Sequence, residues 1–515
     1  MSEASGSGEV AARPDYAVWD CVIPYVKEPH DRASVSLVCK QWHNIDSLTR
    51  KHVAISLCYA ATPDLLLRRF PNLESLKLRG QPHFAKFFHI PDDWGGYAKP
   101  WIEEIVKSFK KMKALHLRRM RVKDSDLKLI AATAIGKGLE VLKLDTVALS
   151  GINFVMSWSL RTLDMEGSEI SEYDGKWLHE LALNNKVLEN FNLLSNLGVE
   201  SGDLELIAKN CASLVKVKIC TDTDIADLVG FFCNAAALEE FWGGFFDIPQ
   251  EDGVAFPQKS CSLGIMLLEN QELPIVFHFA ARLKKLDLHS VLLDMEGHCQ
   301  LLERCPNLEM LKGRDMIGYR GLGVVAQNFK KLKSLWLCGD ENYNLEAMTT
   351  MITHGFLELE FLVFTASDLT NASLESVGTH LKKLYRFRLT LLENKETIAK
   401  FPLDNGVRSL LMGYDKLTGL ALHLQHGVLT YVCFSYIGKY SQKVEFFEGL
   451  PSLQKLELKR CSFSEAQDFA IPNEKGEDAT IEIEGQILAY YSLADRRTDF
   501  LSTIVAFIPK VTIDE

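Results

Sequence analysis

The residues best able to do chemistry in this sequence are cations on alternate positions. In "LKKLYRFRLT", residues 381–390, Arg386 and Arg388 are interleaved with Leu384, Phe387 and Leu389. Side chains alternate between the two faces of a strand, so both guanidinium groups would share one face and the apolar residues the other. The same spacing recurs at Lys77 and Arg79, His116 and Arg118, Lys143, Lys216 and Lys218, Lys285, Lys312 and Arg314, and Lys455 and Lys459. Asp145, Asp164, Asp287 and Glu457 stand against them. A guanidinium fork matches the oxygens of phosphate or carboxylate, and such charge-assisted bonds are about twice as strong as neutral ones. On residues alone two readings stay open: faces charged for solubility, or a seat for a polyanion.

Other chemistries find no support. The 12 cysteines are scattered, with no C-x-x-C pair and no His/Cys cluster at zinc spacing, which predicts reduced thiols and no metal. "GLGVVA" at 321–326 imitates a dinucleotide turn but opens a repeat helix with no acidic partner for a ribose, and "HELAL" at 179 lacks the second histidine of a zinc protease. Without a nucleophile, metal or P-loop constellation, the chain is expected to be non-catalytic. A formal charge of −11 argues against nucleic acid and anionic membranes as partners. No apolar run approaches the roughly 18 residues of a membrane span.

What must position the cations is a repeat. "FPNLESLKL", "FKKMKALHL", "GKGLEVLKL", "CPNLEMLKG" and "LPSLQKLEL" are versions of L-x-x-L-x-L. With the first apolar position as anchor, the series runs from Leu73 and Met112 through Leu238, Leu263 and Leu283 to Leu384, Leu417, Val444 and Leu453. Between Met112 and Leu384 the steps stay within the roughly 20 to 29 residues of leucine-rich repeats. Between anchors, sets such as Leu204, Ile207, Ala208 and Cys211, or Leu374, Val377, Gly378 and Leu381, follow helical spacing. Each repeat is thus a strand and a helix. The fold class is α/β, a leucine-rich-repeat solenoid, horseshoe to near-closed ring, whose parallel strands line a concave wall. The cations can meet only if the array curls far round.

The expected organisation is a disordered leader over 1–13, with no signal peptide, a helical module over 14–50, the solenoid over 51–465, and a tail or cap over 466–515. The first repeat carries an insertion, "GQPHFAKFFHIPDDWGGYAKPW". Val444 and Leu453 are too close for a whole repeat, so part of one is expected to be missing. In the module, "VWDCVIPYV" and "DRASVSLVCKQWHNI" read as two helices, the second with Val35, Val38, Cys39 and Trp42 on one face. Pro24 falls inside the first, where proline costs roughly 3 kcal/mol. The module is either a cap on the solenoid or a docking element.

"DRASVSLVCKQWHNIDSLTRKHV" resembles the F-box of plant hormone-receptor F-box/leucine-rich-repeat proteins. The resemblance follows the jasmonate, or coronatine-insensitive, branch at "CYAATPDLLLRRFPNLESLKLRG", "DGKWLHELA", "RDMIGYRGLGVVAQ", "SDLTNASLESVGTHLKKL" and "ILAYYSLADRRTD". It implies an all-helical F-box and a substrate-recognition subunit of an SCF-type ubiquitin ligase, in the nucleus or also the cytoplasm. A Skp adaptor, with its cullin, would dock on Val18, Val22, Ile23, Leu37, Val38 and Trp42. An inositol polyphosphate would sit on Lys77, Arg79, His116, Arg118, Arg119, Arg314, Arg386 and Arg388. Above it, jasmonoyl-isoleucine and the degron of a JAZ-type repressor would bind together.

The implied hormone pocket departs from the family pattern. Its residues would be His83, Phe84, Phe87, Arg314, Thr365, Arg388, His423 and Lys459. Where the family has "KPRAAMFNL" this chain has "QPHFAKFFH", so His83 replaces an arginine, Phe84 an alanine, Lys86 a methionine and His89 a leucine, with Phe87 retained. Thr365 and His423 replace tyrosines, and Lys459 an arginine whose bidentate fork it cannot supply. The shortened stretch at Val444 and the short C-terminus would remove a pocket leucine and a pocket tryptophan. Each buried hydrogen bond lost costs on the order of 1 kcal/mol, so four losses would weaken binding about a thousandfold or more. The expectation is a divergent paralog with weak or altered hormone response; the alternative is an interaction protein or decoy that binds no hormone.

Overall fold

Alternation and helical spacing become elements in a computed structural model. It describes residues 16–26, 29–55, 62–80, 96–149, 159–170, 176–193, 199–246, 254–314, 324–325, 327–338, 355–366, 370–391, 402–412, 417, 419–423, 455–459, 479–483, 486–491 and 503–507. His83, Phe84, Phe87, Val444 and the leader lie outside these. The chain forms two compact units, one of residues 1–197 with 512–515 and one of 198–511. The helical module shares the first unit with the first repeats. Among the described residues no helix is long and apolar enough to cross a membrane.

The first unit begins with helices Tyr16–Val22, Pro29–Val38 and Lys40–Thr49. Two expectations for the module change. The α-helix stops at Val22 and a 3₁₀ turn, Ile23–Tyr25, takes over with Pro24 in its opening positions. There no intrahelical N–H is needed, so the proline penalty does not arise. The second predicted helix is two, because Cys39 is extended (φ −160°, ψ 167°) and caps Lys40–Thr49 with its Sγ accepting from Trp42 N. Val35, Val38, Cys39 and Trp42 therefore do not form one core stripe.

Behind the module, strands His52–Ile55, Ser75–Arg79, Ala114–Arg118, Val141–Asp145, Thr162–Asp164 and Asn190–Asn192 pair in parallel, in chain order. Their burial alternates as the motif demands, with Leu76, Leu78, Leu115, Leu117, Leu142 and Leu144 inside and the residues between them half-exposed. In the second unit parallel strands run in chain order from Lys216–Lys218 to Lys455–Lys459. Helices such as Ser201–Asn210 and Asn371–His380 bury the expected Leu204, Ile207 and Ala208, and Leu374, Val377 and Gly378. The last strand also pairs with Thr503–Phe507, antiparallel, and an edge thus covered offers fewer free backbone groups for unwanted pairing. This is the expected α/β leucine-rich-repeat solenoid behind an all-helical module.

Every anchor from Leu73 to Leu417 is buried, yet register corrects one of them. Phe241 pairs with Leu263 and Leu263 with Leu286. Phe241 and Leu286 are each the third residue after an anchor, so the anchor of the intervening repeat is Ser260, and the steps become 22 and 23 in place of 25 and 20. Ser260 holds the buried position by donating its hydroxyl to the Leu238 carbonyl at 3.3 Å. The anchor Val444 lies outside the described residues. Strand Gly419–His423 pairs directly with Lys455–Lys459.

Candidate functional site

On the helical module, Val18, Val22, Leu37 and Val38 are exposed, Leu37 at 84%, and Trp42 is half-buried against Trp19 with ring centroids 4.3 Å apart. Ile23, expected to share this face, is 1% exposed and belongs to the interior instead. The reason is the 3₁₀ turn, which rotates Ile23 inward, and Arg32, whose Nη1 donates to the Ile23 carbonyl. Tyr25 and Leu48 are exposed apolar residues that periodicity did not pick out. Asp46 is fully buried. It accepts from Arg32 Nε at 2.6 Å and Arg50 Nε at 3.1 Å, while Arg69 Nη2, from the helix opening the first repeat, lies 3.6 Å from its second oxygen. One carboxylate thus joins the module to the solenoid.

On the wall of the first unit, register sets the outward residues in rows. Lys77, His116, Lys143 and Asp164 form one row; Arg79, Arg118 and Asp145 form the next. Arg119 follows at the strand end with φ +51°, a left-handed conformation that L residues other than Asn and Asp seldom adopt. It is held there by its N–H to the Asp145 carbonyl at 3.0 Å. Gly80 makes the close approach possible, since a Cβ at Gly80 would stand 2.1 Å from the Arg119 carbonyl oxygen.

Two cations in this corner converge on one carboxylate. Arg118 Nε lies 2.9 Å from Asp145 Oδ2, in ion-pair contact at an angle that makes no hydrogen bond, and His116 Nε2 is 3.9 Å from the same oxygen. Burial works against the Asp145 charge, but His116, the Thr146 hydroxyl and Arg118 overcome it and hold the carboxyl at about 2. Arg119 Nε is buried without a hydrogen-bond acceptor. Burial lowers the pKa of this arginine, Arg79 and Arg118 lower it further, and only Asp145 opposes them. Orphaned donors among crowded guanidinium groups fit a polyanion such as an inositol phosphate, whose oxygens would accept from Arg119 and relieve the repulsion.

Elsewhere four of the wall lysines meet carboxylates on nearby strands. Lys143 pairs with Asp164 at 3.5 Å, Lys216 and Lys285 share Glu240, and Lys312 lies 3.3 Å from Asp287. Solubility and cross-strand pairing account for these. In the second unit Arg386 and Arg388 alternate outward past buried Phe387 and Leu389, as their spacing predicts. Register also aligns Arg314, Thr365, His423 and Lys459 in one row at the strand ends, with Cys338 and Thr390 between them. Sequence reasoning missed those two, and missed Trp242 and Trp336, whose rings flank Lys312 Nζ at 5.5 and 4.7 Å. The buried thiol of Cys305, pushed up to about 12 by burial, has no nucleophilic character.

The F-box family profile matches residues 13–52, and that of the Transport inhibitor response 1 protein domain matches residues 71–117. Coronatine-insensitive protein 1 of Arabidopsis thaliana is 43% identical over 94% of this chain and 95% of its own length. Coronatine-insensitive protein homolog 1b of Oryza sativa subsp. japonica is 40% identical over 99% of this chain and 98% of its own. Among solved structures, the leucine-rich repeat-containing protein LegL7 from Legionella pneumophila overlaps 78% of this chain and 100% of its own, at 11% identity and a TM-score of 0.29, too loose a likeness to carry any argument.

Proposed function

The chain belongs to the coronatine-insensitive family of F-box/leucine-rich-repeat proteins, and on that footing we propose that it recruits a repressor protein to an SCF-type ubiquitin ligase around a seated polyanion. The coarse role follows from the F-box: the chain is a substrate-recognition subunit whose helical module binds a Skp1-type adaptor. The finer reading is that Arg79, His116, Arg118 and Arg119 hold an inositol polyphosphate. A JAZ-type degron is then engaged beside it, in the nucleus, with jasmonoyl-isoleucine as a weak or altered ligand. The observation that supports it is Arg119, whose buried Nε has no hydrogen-bond acceptor among the described residues while Arg79 and Arg118 crowd it. The protein itself contributes binding and no chemical step.

The test is to purify the full chain with its Skp adaptor and measure inositol phosphate by mass spectrometry after denaturation. A stoichiometric polyphosphate supports the reading; a preparation without it, which gains no thermal stability from added inositol hexakisphosphate, sinks it. A pull-down of a JAZ-type degron with and without jasmonoyl-isoleucine then separates hormone receptor from decoy. The decoy reading has an observation of its own. Thr365 and His423 share one row with Arg314 at the two positions where the family resemblance implies tyrosines, and the hydroxyl of a threonine reaches less far than that of a tyrosine.

A further inference from the structure

Two tryptophans stand where the repeat pattern places residues for water. Register puts Lys218, Trp242, Gly264, Asp287, Lys312 and Trp336 in one row on the outward face of the second unit's strands. Trp242, Lys312 and Trp336 are half-buried, and the core behind them is already filled by Phe241, Leu311 and Leu335. Trp242 Nε1 is buried with no acceptor among the described residues. A buried N–H left unpaired costs free energy, so neither core packing nor hydrogen bonding accounts for this indole. A residue that breaks the local pattern without such a gain is a reason to look for a ligand.

The row is built around the rings. Gly264 lacks the Cβ that would stand 2.4 Å from Trp242 Cε3, so one face of that indole lies against the wall. Trp336 is braced from the next strand by Phe361, stacked at 28° with ring centroids 5.1 Å apart. Between the indoles sits the Lys312 ammonium, 5.5 Å from the Trp242 ring and 4.7 Å from the Trp336 ring. Asp287 approaches the same Nζ at 3.3 Å, and one carboxylate oxygen cannot satisfy three N–H donors. Lys218 Nζ lies 5.9 Å from the Trp242 ring. Two lysines to one carboxylate leave this stretch with an excess of one positive charge. That excess suits a single anionic group, and the indoles offer flat apolar surface to a ring that carries it.

We propose that this stretch of wall seats a small planar aromatic monoanion, of the aromatic carboxylate class, its ring on the Trp242 indole and its carboxylate on Lys312. The seat lies wholly within the second unit and rests on neither the polyanion nor the hormone reading.

The test titrates the full chain, bound to its Skp adaptor, with 2-naphthoate and reads affinity by saturation-transfer NMR. 2-Naphthoate should bind. The uncharged 2-naphthamide and the non-aromatic cyclohexanecarboxylate should each bind about tenfold more weakly, the scale of losing one anchor. Lys312→Met, which keeps the apolar stem and removes the charge, should weaken 2-naphthoate to the same extent, as should Trp242→Leu, while Lys312→Arg retains binding. Circular dichroism of both Lys312 variants should match the parent, so they decide the matter even where Trp242→Leu fails to fold. Excess inositol hexakisphosphate should leave the affinity unchanged. No binding of 2-naphthoate, unchanged affinity in Lys312→Met, equal binding of either control compound, or displacement by inositol hexakisphosphate overturns the proposal.

Discussion

Arg32 Nε donates to Asp46 Oδ1 at 2.6 Å, a pair whose side chains are 8% and 0% exposed. The same arginine holds the Ile23 carbonyl and the Thr49 hydroxyl, so one guanidinium binds three helical segments of the F-box. Removing one partner of a buried pair strands the other charge, and here Arg50 would be stranded too.

Asp46→Ala should therefore cost about 3 to 5 kcal/mol of folding stability, measured by urea denaturation of the full chain. It should also weaken capture of the Skp adaptor, because the 3₁₀ turn that sets the exposed face loses its tether. A change under about 1 kcal/mol would mean the cluster is not what joins module to solenoid.

Acid should reveal Asp145. Its folded pKa, about 2, lies below the ordinary carboxylate value near 3.9. The unfolded chain thus takes up the proton first. Its stabilisation is complete above about pH 4 and is lost as pH falls toward 2, amounting to about 2 kcal/mol at roughly 1.4 kcal/mol per pH unit. Melting curves between pH 5 and 2 should show this loss in the parent, and Asp145→Asn should flatten it.

Arg119→Gly should separate strain from function. Glycine adopts a positive φ freely, so the variant should gain up to about 1 kcal/mol of stability. Added inositol hexakisphosphate should raise the melting temperature of the parent and do so much less in the variant. An equal rise in both would remove Arg119 from the polyanion seat.

Where the sequence was legible, the reason was local. Alternating Leu76, Lys77, Leu78 and Arg79 can satisfy a strand in only one way, and the outward face of Arg386 and Arg388 followed from the same rule. The failures were cases where a distant partner decides. Ser260 looks too polar for a core anchor until the Leu238 carbonyl accepts its hydroxyl. Leu263 was the natural leucine to choose, and only pairing with Phe241 and Leu286 shows it three residues further along the repeat. Ile23 and Pro24 read as one helix because nothing near them announces the 3₁₀ turn that Arg32 stabilises. The balance of Lys312 by Asp287 likewise depends on which strands are neighbours.

Gly264 shows how such neighbour effects can be measured. A Cβ there would stand 2.4 Å from Trp242 Cε3, so the indole lies across the glycine in the adjacent strand. That placement brings the ring within 5.5 Å of Lys312 Nζ and 5.9 Å of Lys218 Nζ. Gly264→Ala should force the indole off the wall at a cost of about 1 to 3 kcal/mol, the range for overpacking. Trp242→Ala removes the clash, so the double variant should be more stable than the sum of the two single losses predicts, by at least about 0.5 kcal/mol. Additive losses in urea denaturation would mean that glycine is required by the strand itself rather than by the tryptophan resting on it.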